Sequence, residues 1–353
     1  MKKTTIFLMS LAAALLTAAC TKAEAGLKEK ELHINAALTD QAPTTRSGKP
    51  FVGFTTLPYG FNYGLFVCQE GTTDKANAHK SNSYNLQATY YPALDKWTYN
   101  YVSNLSSGAL STENRDKVTL TARQDAKKAD LYAYAPYVAD AYAGGPEAIP
   151  YNVGNYTFNG SATNYEIDLM YAVENADSTN KGLDPEAEGS LNATFTFRHA
   201  LSMLRFKITP HSGAYLAYKT IKATLNPGAT VTKLYKTGTF NAVTGQFNDD
   251  GVEANSISES LTGGMWLTGY GYFLIAPTEV ADDELYFTFT LQDGHTLQPY
   301  HLKKEHVKHD DGTYGFKSGY IYTFNFTLDN YLFLDGINIS DDWTDALLGE
   351  EHI

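Results

Sequence analysis

The sequence predicts an all-β protein of two tandem β-sandwich domains, preceded by an export signal and one separate strand. Three observations predict it. Aromatic residues make up 13% of the 353 residues, with 26 Tyr and 18 Phe, and such residues suit half-buried pleated surfaces. Short alternating apolar runs recur about every 8 to 14 residues between turn formers, the rhythm of sandwiches rather than βαβ units. Beyond the N-terminal segment no stretch sustains a helical period. The length accommodates two domains plus leaders, and a 43% hydrophobic content can bury two cores.

The elements follow in chain order. "MKK" is a charged n-region and Ile6 to Leu16 a short apolar run. A spanning helix needs about 20 apolar residues, so this run reads as a signal. It ends in "LLTAAC", where Ala18 and Ala19 before Cys20 resemble a bacterial lipobox, with Thr17 where Leu is more usual. Residues 1–19 are then a signal peptide, and Cys20 is acylated on its thiol and its amine. More than one acyl chain gives stable anchoring where one does not. An ordinary signal with an incidental cysteine is the alternative.

Lys22 to Lys30 is a polar tether. Leu32, Ile34, Ala36 and Leu38 then share one face of a strand, with His33 and Asn35 on the other. The loop "TDQAPTTRSGKPF" follows. Pro43 and Pro50 keep it out of regular structure, and Arg46 stands in it before the flexible Ser47-Gly48. Further strands are read at "FNYGLFVCQ", "KVTLTAR", "ADLYAYAPYV" and "IDLMYAVEN", with a hairpin at "TYYPALDKWTYNYV". The polar run 175–192 is the candidate junction, dividing a domain 47–190 from a domain 191–353. After it come "ATFTFRHALSMLRFKITP", "TIKATL", "GYFLIAP", "ELYFTFTLQDG" and "GYIYTFNFTL". "LQDGHTL" carries the Asp-Gly signal of a hairpin. Near the C-terminus Ile337, Ile339 and Trp343 fall on alternate positions, interrupted by Asp341; the segment fits a final strand of its own domain or one that swings to a neighbour.

Net charge is −12, and near −14 once Lys2 and Lys3 leave with the signal (25 minus 39). Such a surface repels phosphate backbones, which argues against nucleic acid as a partner. Cys68, the other of the two cysteines, lies in a strand pattern and reads as a buried inert thiol. The chain carries no GxSxG, HExxH, P-loop or GxGxxG after a strand, so it reads as no enzyme and implies no cofactor. His301, His306, His309, Asp310 and Asp311 in "HLKKEHVKHDDG" could hold a divalent metal, but their spacing matches no ligand pattern, and a charged hairpin turning at Asp311-Gly312 accounts for them. His211 in "ITPHSG" reads as a turn residue. The Tyr runs "YAYAPY" and "TYNYV" could stack on sugar rings or pack across strands.

Several stretches, in this order, resemble the fimbrillin family of Bacteroidales, the pilins of type V pili: "LLTAAC", "LHINAAL" with "TTRSG", "ADLYAYAPY", "FTFRHALSMLRFKI", "GYFLIAPTE", "LYFTFTLQDG", "GYIYTFNFTL" and "INISDDW". The resemblance implies two transthyretin-like sandwiches and export as a lipoprotein to the outer membrane and cell surface. It implies cleavage after Arg46, before Ser47, by an Arg-specific protease, within a propeptide 20–46. The strand Leu32 to Leu38 would then be lost, and a C-terminal strand carrying Ile337, Ile339 and Trp343 of another subunit would fill its groove. Implied partners are other pilin subunits, self or related, and host or bacterial surface receptors; the wider role is adhesion. A monomeric glycan-binding lipoprotein is the competing reading, and it has no need of a detachable strand.

Overall fold

A computed structural model describes residues 29–38, 61–94, 96–121, 128–153, 168–175, 180–211, 220–227, 233–253, 256–262, 271–328 and 332–341. The strands of the first half are β1 (Glu29–Leu38), β2 (Asn62–Gln69), β3 (Leu86–Tyr91), β4 (Lys96–Asn100), β5 (Val102–Asn104), β6 (Ala109–Leu110), β7 (Val118–Thr121), β8 (Ala129–Ala135), β9 (Ile149–Asn152), β10 (Met170–Ala172) and β11 (Leu191–His199). Those of the second are β12 (Ser202–Pro210), β13 (Thr220–Pro227), β14 (Tyr235–Asn241), β15 (Gln246–Phe247), β16 (Val252–Glu253), β17 (Ile257–Thr262), β18 (Gly271–Ile275), β19 (Thr278–Glu279), β20 (Leu285–Leu291), β21 (Tyr300–His301), β22 (Gly315–Phe316), β23 (Ile321–Leu328) and β24 (Leu332–Ser340).

Eight strands form the first sheet in the order β4-β3-β2-β8-β10-β11-β1-β7. Aromatic side chains roll it over on itself. Tyr63 on β2 meets Phe195 and Phe197 on β11 with ring centroids 6.1 and 5.3 Å apart, although β8 and β10 lie between those strands. Trp97 on β4 closes on Tyr63 at 5.0 Å and on Tyr90 at 5.1 Å. At the β4 edge, Tyr99 exchanges backbone hydrogen bonds of 2.7 and 3.0 Å with Arg115, just ahead of β7. The first sandwich is therefore one continuous sheet whose two ends stack. On the opposite face of β2, Gly64 makes room for the Tyr134 ring, to which a Cβ would lie 2.2 Å away.

In the second half, the sheets β18-β12-β23-β24 and β17-β13-β20-β21 face one another. Phe206 meets Phe289 at 5.8 Å, Phe287 meets Phe324 at 5.0 Å and Phe289 meets Phe326 at 5.4 Å across the interface. The alternation of β20 buries Leu285, Phe287, Phe289 and Leu291, as its sequence pattern requires. The Asp-Gly hairpin forms behind it, with Gly294 at φ +87° and Thr290 bridged to Thr296.

The change of sheet does not fall at 190. β11 begins at Leu191 and pairs in the first sheet, so the turn between the sandwiches is Ala200–Leu201, just before β12. Two described residues of the polar run ahead of β11, Asn175 and Asn180, are held by hydrogen bonds. The buried Asn175 amide accepts from the Ala133 N–H at 2.8 Å and donates to the carbonyls of Ala133 and Ala242, both at 2.8 Å. The buried Asn180 amide accepts from the Thr194 N–H at 3.1 Å and donates to the Thr194 carbonyl at 2.6 Å. These amides satisfy backbone groups beyond the ends of the short β10, where no strand continues the ladder. A small third sheet joins β14, β15 and β16, and β9 from the first half adds to it.

Candidate functional site, the groove filled by the first strand

β1 lies inside the first sheet. On one side it runs parallel to β11, in register from Leu32 opposite Leu191 to Leu38 opposite Phe197. On the other it runs antiparallel to β7, from Glu29 opposite Thr121 to Leu32 opposite Val118. The alternation does what it predicts: Leu32 is 3% exposed and Ile34 9%, Ala36 is half-buried against the core, and His33 and Asn35 face solvent. The floor beneath consists of Leu191, Ala193, Phe195 and Phe197 from β11 and Val118 and Leu120 from β7, all buried.

Without β1 this floor would be open and the facing backbone edges unpaired. Burying a side chain such as Leu32 or Ile34 stabilises by about 1.5–3 kcal/mol, and each ladder hydrogen bond adds about 1 kcal/mol net. β7 has no other partner in the sheet order, so β1 is what ties it to β11.

The N-terminal end of β1 is held by charge. Lys80 Nζ lies 2.8 Å from Glu29 and also donates to Thr119 Oγ1 at 2.9 Å. Lys117 meets Glu31 at 3.2 Å, and Lys30 donates to the Ala187 carbonyl. The hydrogen bond and charge of Lys80 hold the Glu29 carboxyl below the usual carboxylate range. A lowered value means this contribution is present at neutral pH and is lost as pH falls through it. The alternation gave no sign of these partners; the pair Glu29 and Glu31, flanking an apolar run, was the available signal.

The expected donor residues sit elsewhere. Ile337 and Ile339 lie on β24, which pairs antiparallel with β23 at the edge of its sheet, Ile337 opposite Phe324 and Ile339 opposite Tyr322. Both are half-buried against the core, whereas Phe333 on the same strand is 52% exposed. Cys20, Arg46, Ser47 and Trp343 lie outside the described residues. Arg115, in the loop ahead of β7, has its backbone bonded both ways to Tyr99, and its guanidinium lies 4.7 Å from the Tyr101 ring centroid.

Most of the other candidate residues are packed within the fold. Tyr132, Tyr134, Tyr99 and Tyr101 are 4% exposed or less, so these Tyr runs are core. Cys68 is fully buried, and burial pushes its thiol up to about 12. His301 lies exposed on β21, His306 stacks on Tyr300, and His309 is buried with Nε2 at 2.8 Å from Tyr322 Oη and 3.0 Å from the Gly315 carbonyl. Among the described residues no three His, Cys, Asp or Glu side chains are grouped to hold a metal ion. His211 is exposed at the end of β12.

Fold and groove define an all-β protein of two sandwiches, the first completed by its own N-terminal strand. Residues 60–343 match the family described as fimbrillin-like, and the chain belongs to that family. The crystal structure of a candidate cell adhesion protein from Bacteroides uniformis is 17% identical with a TM-score of 0.53, covering 91% of this chain and 99% of that one. One from Bacteroides ovatus is 16% identical with a TM-score of 0.54, covering 89% and 98%. The tip fimbrial protein Mfa3 from Porphyromonas gingivalis, C-terminally truncated, is 10% identical with a TM-score of 0.46, covering 89% and 99%. At such identities the first two likenesses show a shared fold. No curated protein matches the chain.

Proposed function

We propose that the chain is a structural pilin subunit of a cell-surface fimbria that serves adhesion. It is exported as an outer-membrane lipoprotein on Cys20, cut after Arg46 and polymerised by strand exchange. The observation that carries this reading is β1. It fills an apolar groove between β11 and β7 and is the last strand before the loop that holds Arg46. While the loop is intact, the tether keeps β1 at high effective concentration beside its groove. Once the loop is cut, β1 is an ordinary ligand, and the tail of another subunit can replace it. Main-chain pairing tolerates varied side chains in such an exchange. The contact is head-to-tail and does not close, so it builds a filament. Membership of the fimbrillin-like family supports the same reading.

Sedimentation of the wild type and Arg46→Ala after treatment with an Arg-specific protease tests it. Only the wild type should form large species. Polymers of equal size from Arg46→Ala would remove the cleavage step. Separately, Cys20→Ser should move the precursor from the detergent phase to the aqueous phase in a partition assay; a mutant that still partitions with detergent would refute the anchor.

A further inference from the structure

A cavity of about 770 Å³ opens between the third sheet and the short ladder of β19 with β22. One wall is the start of β15, with Gln246 and Phe247. The other carries Glu279 and Val280 from the β19 side and Phe316 from β22. Its floor is apolar. Val280 and Phe316 are buried, and Phe247 is braced edge-to-face by Tyr151 at 5.1 Å and Phe240 at 5.0 Å.

The cavity is preformed. Gly315 takes φ +137°, and a Cβ there would lie 2.4 Å from the Thr278 carbonyl oxygen, so β19 and β22 approach only because a glycine stands there. The Gly315 carbonyl accepts from Tyr322 Oη at 3.1 Å and lies 3.0 Å from Nε2 of the buried His309. Tyr322 Oη in turn accepts from the Lys317 N–H at 2.8 Å. His309 thus supports one wall of the cavity.

The lining narrows the chemistry of a ligand. Lys317 is paired with Asp311 at 2.5 Å. Lys304 faces Asp282 at 3.5 Å, and its ammonium lies 5.6 Å from the Tyr314 ring centroid. Both lining cations already have a carboxylate, so an anionic ligand meets no unpaired charge. An acyl chain would strip water from Gln246 and Glu279, exposed on opposite walls, and return no hydrogen bond. A pyranose ring meets both demands. Its C–H face covers Phe247, Val280 and Phe316, and the hydroxyls at its edge reach the Gln246 amide and the Glu279 carboxylate. The volume lies within the roughly 300–1,000 Å³ of small-ligand sites. We infer that this cavity binds an uncharged glycan of one to a few pyranose rings. Such a site gives the adhesion proposed above its ligand chemistry and rests on that reading only for its use. It is complete in the uncut chain, so its failure and that of polymerisation are told apart.

The test uses the full, uncut chain and four neutral disaccharides, cellobiose, lactose, mannobiose and chitobiose, read by saturation-transfer difference NMR. At least one should receive saturation, strongest on the C–H groups of one ring face. Its affinity should change little between low salt and 1 M salt, because no net charge is matched. Gln246→Ala with Glu279→Ala removes two exposed side chains and leaves the core intact; it should weaken binding about 10-fold or more. Each single variant should weaken it less than the pair. Saturation of none of the four disaccharides overturns the assignment. So does a double variant, folded by circular dichroism, that binds as tightly as wild type. A disaccharide containing glucuronic acid that binds more tightly than the neutral ones at low salt, and loses that advantage in 1 M salt, overturns the uncharged class.

Discussion

Cut after Arg46, the variant Asn35→Cys/Thr194→Cys should stay monomeric under oxidising conditions and polymerise once a reductant is added. Asn35 on β1 and Thr194 on β11 are register partners, and both face solvent. Adjacent strands lie about 4.7–4.9 Å apart, within the Cα separation of about 4.4–6.8 Å that a disulfide spans. The bridge would replace the covalent tether that proteolysis removes. Cys68 should not scramble it, because the thiol is fully buried and raised to about 12. Cys20 is replaced by Ser so that the new pair is the only reactive one. The readout is sedimentation before and after reduction, and the expected change is from no polymer to the wild-type amount. Oxidised, cut protein that polymerises as fully as reduced protein would show that β1 need not leave the sheet.

This design follows from where β1 lies. An edge strand could fray away while the rest of the ladder held. β1 is flanked on both sides, so its release breaks contacts with β11 and β7 together. The burial of Leu32 and Ile34 alone contributes several kcal/mol by the usual area rule. On the proposed reading, cutting the loop would permit exchange without forcing release, and a competing strand would drive it. β24 is the opposite case. It pairs with one neighbour only, its described side chains are at best half-buried, and Phe333 points largely into solvent. The strand proposed to leave its own sheet and donate is held less firmly than the strand it would replace.

Much of this architecture is legible in the sequence, for a local reason. Alternation prints the burial of one sheet face directly onto the chain, so β1, β20 and β23 could be read where they stand. The Asp-Gly hairpin was equally local. Pairing order was not legible, because β1 meets β11 across more than 150 residues and nothing in either strand names the other. Polarity in the run 175–192 does not mark the change of sheet, which comes at Ala200–Leu201, because polar residues can be buried. Asn175 and Asn180 are buried amides doing the work of missing strand neighbours, which composition cannot distinguish from a loose linker. The Tyr runs show the reverse ambiguity: alternating Tyr reads equally as a sugar platform or as core, and Tyr134 is settled only by the bare backbone of Gly64 beneath its ring. The charge partners of Glu29 and Glu31 were invisible because Lys80 and Lys117 belong to loops flanking other strands.

Truncation after Leu334 should leave a protein that accepts a strand but cannot donate one. It removes Ile337, Ile339 and Trp343 and strips the part of β24 that covers Ile321 to Asn325 of β23. Losing two half-buried isoleucines and part of a ladder should cost roughly 2–4 kcal/mol, a marginal domain's margin but less than the total for most domains. Circular dichroism melts establish that the truncated protein is folded. Ile337→Ser/Ile339→Ser, which keeps the full backbone of β24, serves as the milder variant. Cut truncated protein should remain small by sedimentation when alone. Added in minor amounts to cut wild type, it should shorten the polymers, because each copy fills one growing end and offers no tail to the next. Uncut truncated protein should do neither, since its groove still holds β1. The double Ser variant should polymerise more slowly than wild type, in proportion to the apolar area its tail has lost. If β24 is only the last strand of its own sandwich, folded truncated protein will polymerise like wild type after cleavage, and the donor must then be sought in another segment of the chain.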